Sequence, residues 1–138
     1  MRKIRSMSLA LAGAVILSSC NALDAIGSAG RLNATYDLWL VNGSNIPATV
    51  YSEPGYRLEV LNANVTLEED GTYTEAGIVR ETINGFSETR STSSWGYYDY
   101  YNGELTFDDN DGRRYYGYLE GNTLVIEDQG VRMTYRRY

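Results

Sequence analysis

The chain has 138 residues, with 12 Lys+Arg, 18 Asp+Glu, no His and one Cys, and its formal net charge at pH 7 is −6. An excess of negative charge repels the phosphate backbone, which excludes nucleic acid as a partner. Without His and with a single Cys, the chain lacks the groups that most often act as general bases, nucleophiles or metal ligands near neutral pH. We therefore expect a protein that is not an enzyme and that holds no metal or cofactor.

The first twenty residues have the composition of a bacterial export signal. Residues 1–5 carry three basic side chains, and residues 8–17 form an apolar run. That run is much shorter than the ~20 residues of a membrane span, and it fits a cleaved leader. The sequence Leu17-Ser-Ser-Cys20 follows and resembles the lipobox of bacterial lipoproteins. The resemblance implies that residues 1–19 are a signal peptide and that Cys20 becomes the first mature residue, carrying a diacylglycerol and a fatty acid such as palmitate.

Cys20 is the only cysteine, so it makes no internal disulfide, and exported domains usually pair their cysteines. A lipid attachment point explains it better than an incidental thiol in an ordinary secretory signal. Several acyl chains anchor a protein firmly, because each buried CH₂ adds ~0.8 kcal/mol. Asn21 follows the cysteine, and in lipoproteins of the enteric type an Asp there favours the inner membrane. By this resemblance the protein is expected in the cell envelope, at the outer membrane where the organism has one.

The mature chain is strongly acidic. Removal of the predicted signal peptide takes away Arg2, Lys3 and Arg5. The mature chain then has nine basic and eighteen acidic residues, a net charge of −9, and contains no lysine. Residues 20–33 are rich in Ala, Gly, Ser and Asn, which predicts a lipidated cysteine followed by a flexible tether. Residues 34–138 are expected to form one domain around a single core.

From residue 35 onward the apolar period is two, and the breaks are mostly Asn-Gly, Asp-Gly and similar pairs, which are typical of tight β-hairpins. The fold class is therefore all-β, an antiparallel up-and-down meander of about eight to ten strands. Such a meander is expected to close into a barrel, because closure removes the exposed edges. The predicted strands cover residues 35–41, 48–52, 56–61, 64–69, 72–83, 86–101, 104–108, 113–120, 123–128 and 131–137.

Several short motifs in this order resemble the small bacterial lipocalin-like domains, many of which are lipoproteins. They are Tyr36-Asp-Leu-Trp-Leu-Val-Asn-Gly43, Leu67-Glu-Glu-Asp-Gly-Thr-Tyr73, Gly103-Glu-Leu-Thr-Phe107, Gly121-Asn-Thr-Leu124 and Tyr135-Arg-Arg137. The similarity covers residues 34–138 and implies a lipocalin-like β-barrel. Tyr36 stands where that family has the Trp of its Gly-x-Trp motif, so the pocket chemistry of retinoid carriers is not implied.

Strand parity indicates which side chains face the interior. The apolar sets 115/117/119, 124/126 and 131/133/135 are assigned inward, together with Leu105, Phe107, Leu38 and Leu40. Gly77, Gly96 and Gly117 are expected to leave local space there. A pocket at one end of such a barrel would hold a small hydrophobic or aromatic ligand. Its predicted lining is Tyr73, Phe107, Tyr115, Met133 and Tyr135.

A second group of aromatic residues is expected on the outside. Trp95, Tyr97, Tyr98, Tyr100 and Tyr101 predict a surface for a protein or glycan partner, because Tyr and Trp combine large apolar area with a polar tip. The plainer alternative is that strand tyrosines pack across strands with wet hydroxyls. The acidic stretch Asp108-Asp-Asn-Asp-Gly112 fails as a calcium loop, because Phe107 and Tyr118 fall where the first and twelfth ligands belong.

Two functions follow from these residues. The first is a lipid-anchored envelope lipoprotein whose non-catalytic barrel binds a small apolar ligand. The second is a structural or interaction protein of the envelope with a solid barrel and an exposed aromatic surface. In both, the membrane is reached through the acyl chains on Cys20. The volume of the lumen distinguishes them.

Overall fold

The computed structural model describes residues 32–138. The predicted signal peptide, Cys20 and all but the end of the tether lie outside the described residues. Ten strands follow: β1 Ala34–Val41, β2 Ser44–Asn45, β3 Ala48–Glu53, β4 Tyr56–Leu67, β5 Thr72–Ile83, β6 Phe86–Tyr101, β7 Glu104–Asp109, β8 Arg114–Glu120, β9 Thr123–Asp128 and β10 Val131–Arg136. Within this part of the chain no helix is long and apolar enough to cross a bilayer.

The strands form one antiparallel sheet in the order β2-β1-β10-β9-β8-β7-β6-β5-β4-β3. β1 also pairs with β4, Tyr36 opposite Val65, and this pairing closes eight of the strands into a barrel. The predicted all-β fold and its closure are therefore confirmed, and the architecture is that of a lipocalin-like barrel.

The hairpins form because their turn residues accept the left-handed backbone. Asn42, Asn84, Asn102 and Gln129 have φ near +50°, and the glycine after each has φ between +80° and +89°. Two successive residues with positive φ make the type I′ turn, whose twist matches that of the two strands it joins. The predicted bounds of β5, β6 and β9 are confirmed residue for residue.

Two bulges move side chains away from their predicted faces. In β1 the register shifts between Leu38 and Leu40, so Val41 is buried and Leu40 is only half-buried, contrary to the inward assignment of Leu40. In β4 the register shifts between Val60 and Asn62, and the two short strands predicted over residues 56–69 are one bulged strand. A bulge inserts one unpaired residue and resets the parity of everything beyond it.

Two arginines lie where β1 meets the end of β10. The guanidinium carbon of Arg136 lies 3.0 Å from the centre of the Trp39 ring, which is a cation–π contact on the outside of the barrel. Burial raises the pKa of Tyr36, and the nearby Arg137 guanidinium opposes that rise. The first and last strands of the barrel are thus joined by side chains as well as by the ladder.

One part of the sheet extends beyond the barrel. β6 pairs with β5 along Phe86–Tyr97, but with β7 only from Gly96 onward. At that end β3, β4, β5 and the first half of β6 form a four-stranded projection. At Gly96, where the projection joins the barrel, a Cβ would lie 2.1 Å from the carbonyl oxygen of Asp108, so only glycine fits.

Candidate functional site

The five residues predicted to line a pocket all face the interior, and three of their rings pack against each other. Phe107 stacks on Tyr115 at 5.0 Å between ring centres, and Tyr73 meets Phe107 edge-on at 5.1 Å. Tyr73, Phe107, Tyr115 and Tyr135 are buried, and Met133 is half-buried against the core. These offset and edge-on arrangements are the favoured geometries of aromatic pairs. The middle of the lumen is therefore occupied by side chains.

The phenol groups inside the barrel hydrogen-bond each other. The Tyr115 hydroxyl donates to the Tyr73 hydroxyl at 2.8 Å. The Tyr135 hydroxyl donates to Glu75 at 3.3 Å. Burial is the largest cause that raises the pKa of Tyr73, of Tyr115 and of Tyr135. Within residues 32–138 every buried side-chain nitrogen or oxygen has a hydrogen-bond partner.

The glycines inside the barrel do not leave space. A Cβ on Gly117 would lie 2.5 Å from the carbonyl oxygen of Val125, and one on Gly77 would lie 3.0 Å from that of Asn62. As at Gly96, neighbouring backbone already fills the position. The expectation that these three glycines open local voids is therefore wrong, and they mark close approach of strands instead.

Three surface concavities in the described part of the chain have volumes of about 320, 280 and 260 Å³, and none of these three is lined by any of the five predicted pocket residues. The concavity of about 260 Å³ lies where the projection meets the barrel. Its lining is polar: Glu75, Thr92, Ser93, Ser94, Asp109, Asp111 and Arg113.

This polar concavity contains Glu75, which the sequence did not single out, and Asp109, which belongs to the stretch rejected as a calcium loop. Asp109 is buried and accepts a hydrogen bond from Arg113 at 3.3 Å, and Arg113 also reaches Asp128 at 3.2 Å. Burial raises the pKa of Glu75 above its ordinary value, and the nearby Asp109 adds to the rise. Among the described residues no group of three His, Cys, Asp or Glu is arranged to hold a metal ion.

The outer face of β6, β7 and β8 carries a set of exposed rings, which we call the aromatic patch: Trp95, Tyr97, Tyr101 and Tyr116. These side chains are 51%, 61%, 74% and 60% exposed, respectively. Trp95 and Tyr97 meet edge-on at 6.4 Å between ring centres. Tyr116 is not among the residues predicted for this surface, and the sheet brings it near β6 through Thr106, which pairs with both Asp99 and Tyr116.

Tyr98 and Tyr100 do not belong to this surface. Tyr98 is 6% exposed; its hydroxyl accepts a hydrogen bond from the Leu32 amide at 2.8 Å and donates to the Glu68 carbonyl at 2.7 Å. Tyr100 is half-buried and packs against the core. Both alternate with the outward residues of β6 and share the inner face with Phe107 and Leu105, their partners on β7. Their predicted place on an exposed partner surface is therefore corrected.

Charged groups separate the rings of the patch. Arg114 makes a two-pronged contact with Asp108 at 2.7 and 3.1 Å, opposite Tyr97 in the ladder. The bond from Arg114 lowers the pKa of Asp108. Further along the face, Arg132 lies over the Tyr118 ring and donates to its hydroxyl. The patch is thus amphipathic, with aromatic surfaces set among fixed ion pairs.

No family model matches the chain, and no curated protein matches it. Among solved structures, the fold is similar to that of NlpE from Escherichia coli, described as a Cpx pathway activator. The two chains are 19% identical with a TM-score of 0.44, and the match covers 71% of this chain and 43% of that chain. This chain therefore spans less than half the length of that protein, and the likeness carries no statement about function.

Proposed function

We propose that this chain is a lipid-anchored, non-catalytic protein of the bacterial cell envelope that acts through the outside of a solid barrel. The observation that carries the proposal is the packed lumen: Phe107 stacks on Tyr115 and meets Tyr73 edge-on, and the hydroxyls of the two tyrosines hydrogen-bond each other. A ligand would have to displace rings that are buried and already hydrogen-bonded. Of the two functions that the sequence allows, this packing favours the interaction protein over the carrier of a small apolar ligand.

The aromatic patch is the surface we assign to the partner. Tyr, Trp and Arg are the side chains enriched at protein interfaces, and they supply most of the residues whose truncation weakens binding. The patch combines four exposed rings with Arg114, which Asp108 already holds in place. Ordered side chains lose less conformational freedom on binding. The excess of acidic residues over the whole mature chain favours a neutral or cationic protein as the partner.

The anchor is proposed from the sequence alone. The basic start, the short apolar run and Leu17-Ser-Ser-Cys20 support acylation of Cys20. Mass spectrometry of the amino terminus of protein extracted from membranes tests it. We expect a chain that starts at Cys20 and carries acyl chains. An unmodified Cys20, or a start at another residue, would contradict the anchor without affecting the patch.

Photo-crosslinking in the native envelope tests the patch. Tyr116 is replaced with the photoreactive p-benzoylphenylalanine, and Tyr51, an equally large and 51% exposed residue on β3, is replaced as the matched control. We expect one discrete protein adduct from position 116 and none of the same size from position 51. Adding Trp95→Ala and Tyr97→Ala should reduce the adduct by about fivefold or more, as for residues that anchor an interface.

Two results would contradict the assignment. Identical adducts from positions 116 and 51 would show non-specific contact with the crowded envelope. An adduct that protease does not shorten would identify a glycan rather than a protein.

A further inference from the structure

The projection has a free strand edge. β6 pairs with β7 only from Gly96, so along Phe86–Ser94 no strand of the described chain lies on its outer edge. The Trp95 carbonyl points to that edge, since it accepts a hydrogen bond from the Asn110 amide. The direction of backbone groups alternates along an antiparallel strand. The N–H and C=O groups of Ser87, Thr89, Ser91 and Ser93 therefore face the free edge.

Most of the usual protections of an exposed edge are absent here. Proteins blunt edges with charged side chains, above all Lys, and with Pro, bulges or very short strands. Residues 86–94 contain neither Lys nor Pro, and β6 pairs with β5 without a register shift. The stretch is long and regular, and its side chains are mostly Ser and Thr. Only Glu88 and Arg90 are charged, so the electrostatic preference of this edge for a partner strand depends on these two side chains.

Within one copy of the chain, neither Glu88 nor Arg90 has an opposite charge directly across the ladder. In the ladder Glu88 lies directly opposite Glu81, and like charges in that position destabilise a sheet. Arg90 lies opposite Val79. Within the described residues, neither Glu88 nor Arg90 takes part in an ion pair. An opposite charge added at the edge would meet an unpaired group in each case.

We propose that two copies of this chain pair antiparallel through the Phe86–Ser94 edge, about a two-fold axis at Thr89. In this register Thr89 faces the partner's Thr89, and Ser87 faces the partner's Ser91, all with edge-directed backbone groups. Glu88 then lies opposite the partner's Arg90, and Arg90 opposite the partner's Glu88. Moving the axis to residue 88 or 90 places like charges opposite each other. The charges therefore select one register of the symmetric pair.

The same register covers the apolar tip of the projection. Phe86 is 85% exposed and Ile83 is 49% exposed, and they pair with each other at the end of the β5–β6 hairpin. Across the dimer axis Phe86 lies opposite the partner's Thr92, a residue of the polar concavity. Because the strands run in opposite directions, the two barrels lie at opposite ends of the paired strands.

Disulfide trapping tests the pairing in the full-length chain in its own membrane. Thr89→Cys places two sulfurs across the axis, where the Cα atoms of a hydrogen-bonded pair lie ~5.5 Å apart, within disulfide range. The matched control is Ser93→Cys on the same edge, whose two copies would lie ~27 Å apart, eight residues along a strand. After mild oxidation we expect a dimer band from Thr89→Cys, and none from Ser93→Cys or from the parent chain.

A charge exchange tests the register. Glu88→Arg in the Thr89→Cys background turns two attractive pairs into repulsive ones and should lower the dimer yield about tenfold. Adding Arg90→Glu restores opposite charges and should recover the yield. Equal trapping at positions 89 and 93, disulfides only to other proteins, or no recovery in the exchanged variant would overturn the proposal. The exchange involves surface residues, so recovery also shows that the fold is intact.

Discussion

Phe107→Ala removes a ring that is fully buried between Tyr73 and Tyr115. Truncation of a buried Phe costs ~3–5 kcal/mol, and the cost rises where the surroundings cannot collapse into the gap. Collapse is restricted here, because the strands are already so close at Gly117 that a Cβ there would lie 2.5 Å from the Val125 carbonyl oxygen and 3.3 Å from the Phe107 ring. We therefore expect a loss of ~4 kcal/mol in the free energy of unfolding. That is a large fraction of the ~5–15 kcal/mol typical of a domain.

Urea unfolding followed by far-ultraviolet circular dichroism measures this loss. The control is Tyr116→Ala, which removes an exposed ring and should lower the free energy of unfolding by less than ~0.5 kcal/mol. If Phe107→Ala does not fold alone, benzene should restore part of its stability, since a dry apolar cavity of this size takes up such molecules. A loss below ~1 kcal/mol would refute the reasoning, because it would mean that the ring borders a space that is already open.

Two further substitutions test other parts of the structure. Glu75→Gln should stabilise the protein at pH 7 and lose this advantage as the pH falls. Burial raises the folded-state pKa of Glu75, so its protonated form adds stability below the unfolded-state pKa, and that stability is lost as the pH rises through the folded-state pKa. Gly96→Ala should destabilise by ~3 kcal/mol or more, since its Cβ would collide with the Asp108 carbonyl.

Each of these has a clear contrary result. For Glu75, the free energies of unfolding of wild type and variant are measured in urea at several pH values. A difference between them that does not change with pH would contradict the predicted effect of burial on the Glu75 pKa. For Gly96, the control is Gly43→Ala. A Cβ at Gly43 would meet no other atom, so this substitution should cost only the ~1–2 kcal/mol of placing Ala at a positive φ. Equal losses at the two glycines would show that strand approach at Gly96 is not close.

The barrel was predictable because each hairpin is determined by a pair of adjacent turn residues. Asn84–Gly85 and Asn102–Gly103 each fix both the position of a turn and the register of the two strands it joins. The bulges in β1 and β4 were not predictable, because no local residue demands them. The one at Trp39 reverses the side chains of Leu40 and Val41.

The error at Tyr98 could have been avoided from the sequence. The Asn102–Gly103 turn pairs Tyr101 with Glu104, and therefore Tyr100 with Leu105 and Tyr98 with Phe107. Since Phe107 was already assigned inward, Tyr98 had to share its face. The free edge of β6 also follows from lengths, because a 16-residue strand returns onto a 6-residue β7. Glu75 gave no such signal, as its burial depends on which strands meet at the end of the barrel.

Titration with a hydrophobic fluorophore tests the solid barrel most directly. The Cys20→Ser chain, purified without acyl chains, is compared with its Tyr115→Ala, Tyr135→Ala variant, after circular dichroism has shown that the variant is folded. The packed lumen predicts no saturable binding by the parent chain, because Tyr73, Phe107 and Tyr115 already fill the space. Saturable binding of one fluorophore per parent chain that is lost in the folded variant would contradict the solid barrel and establish a ligand pocket inside it.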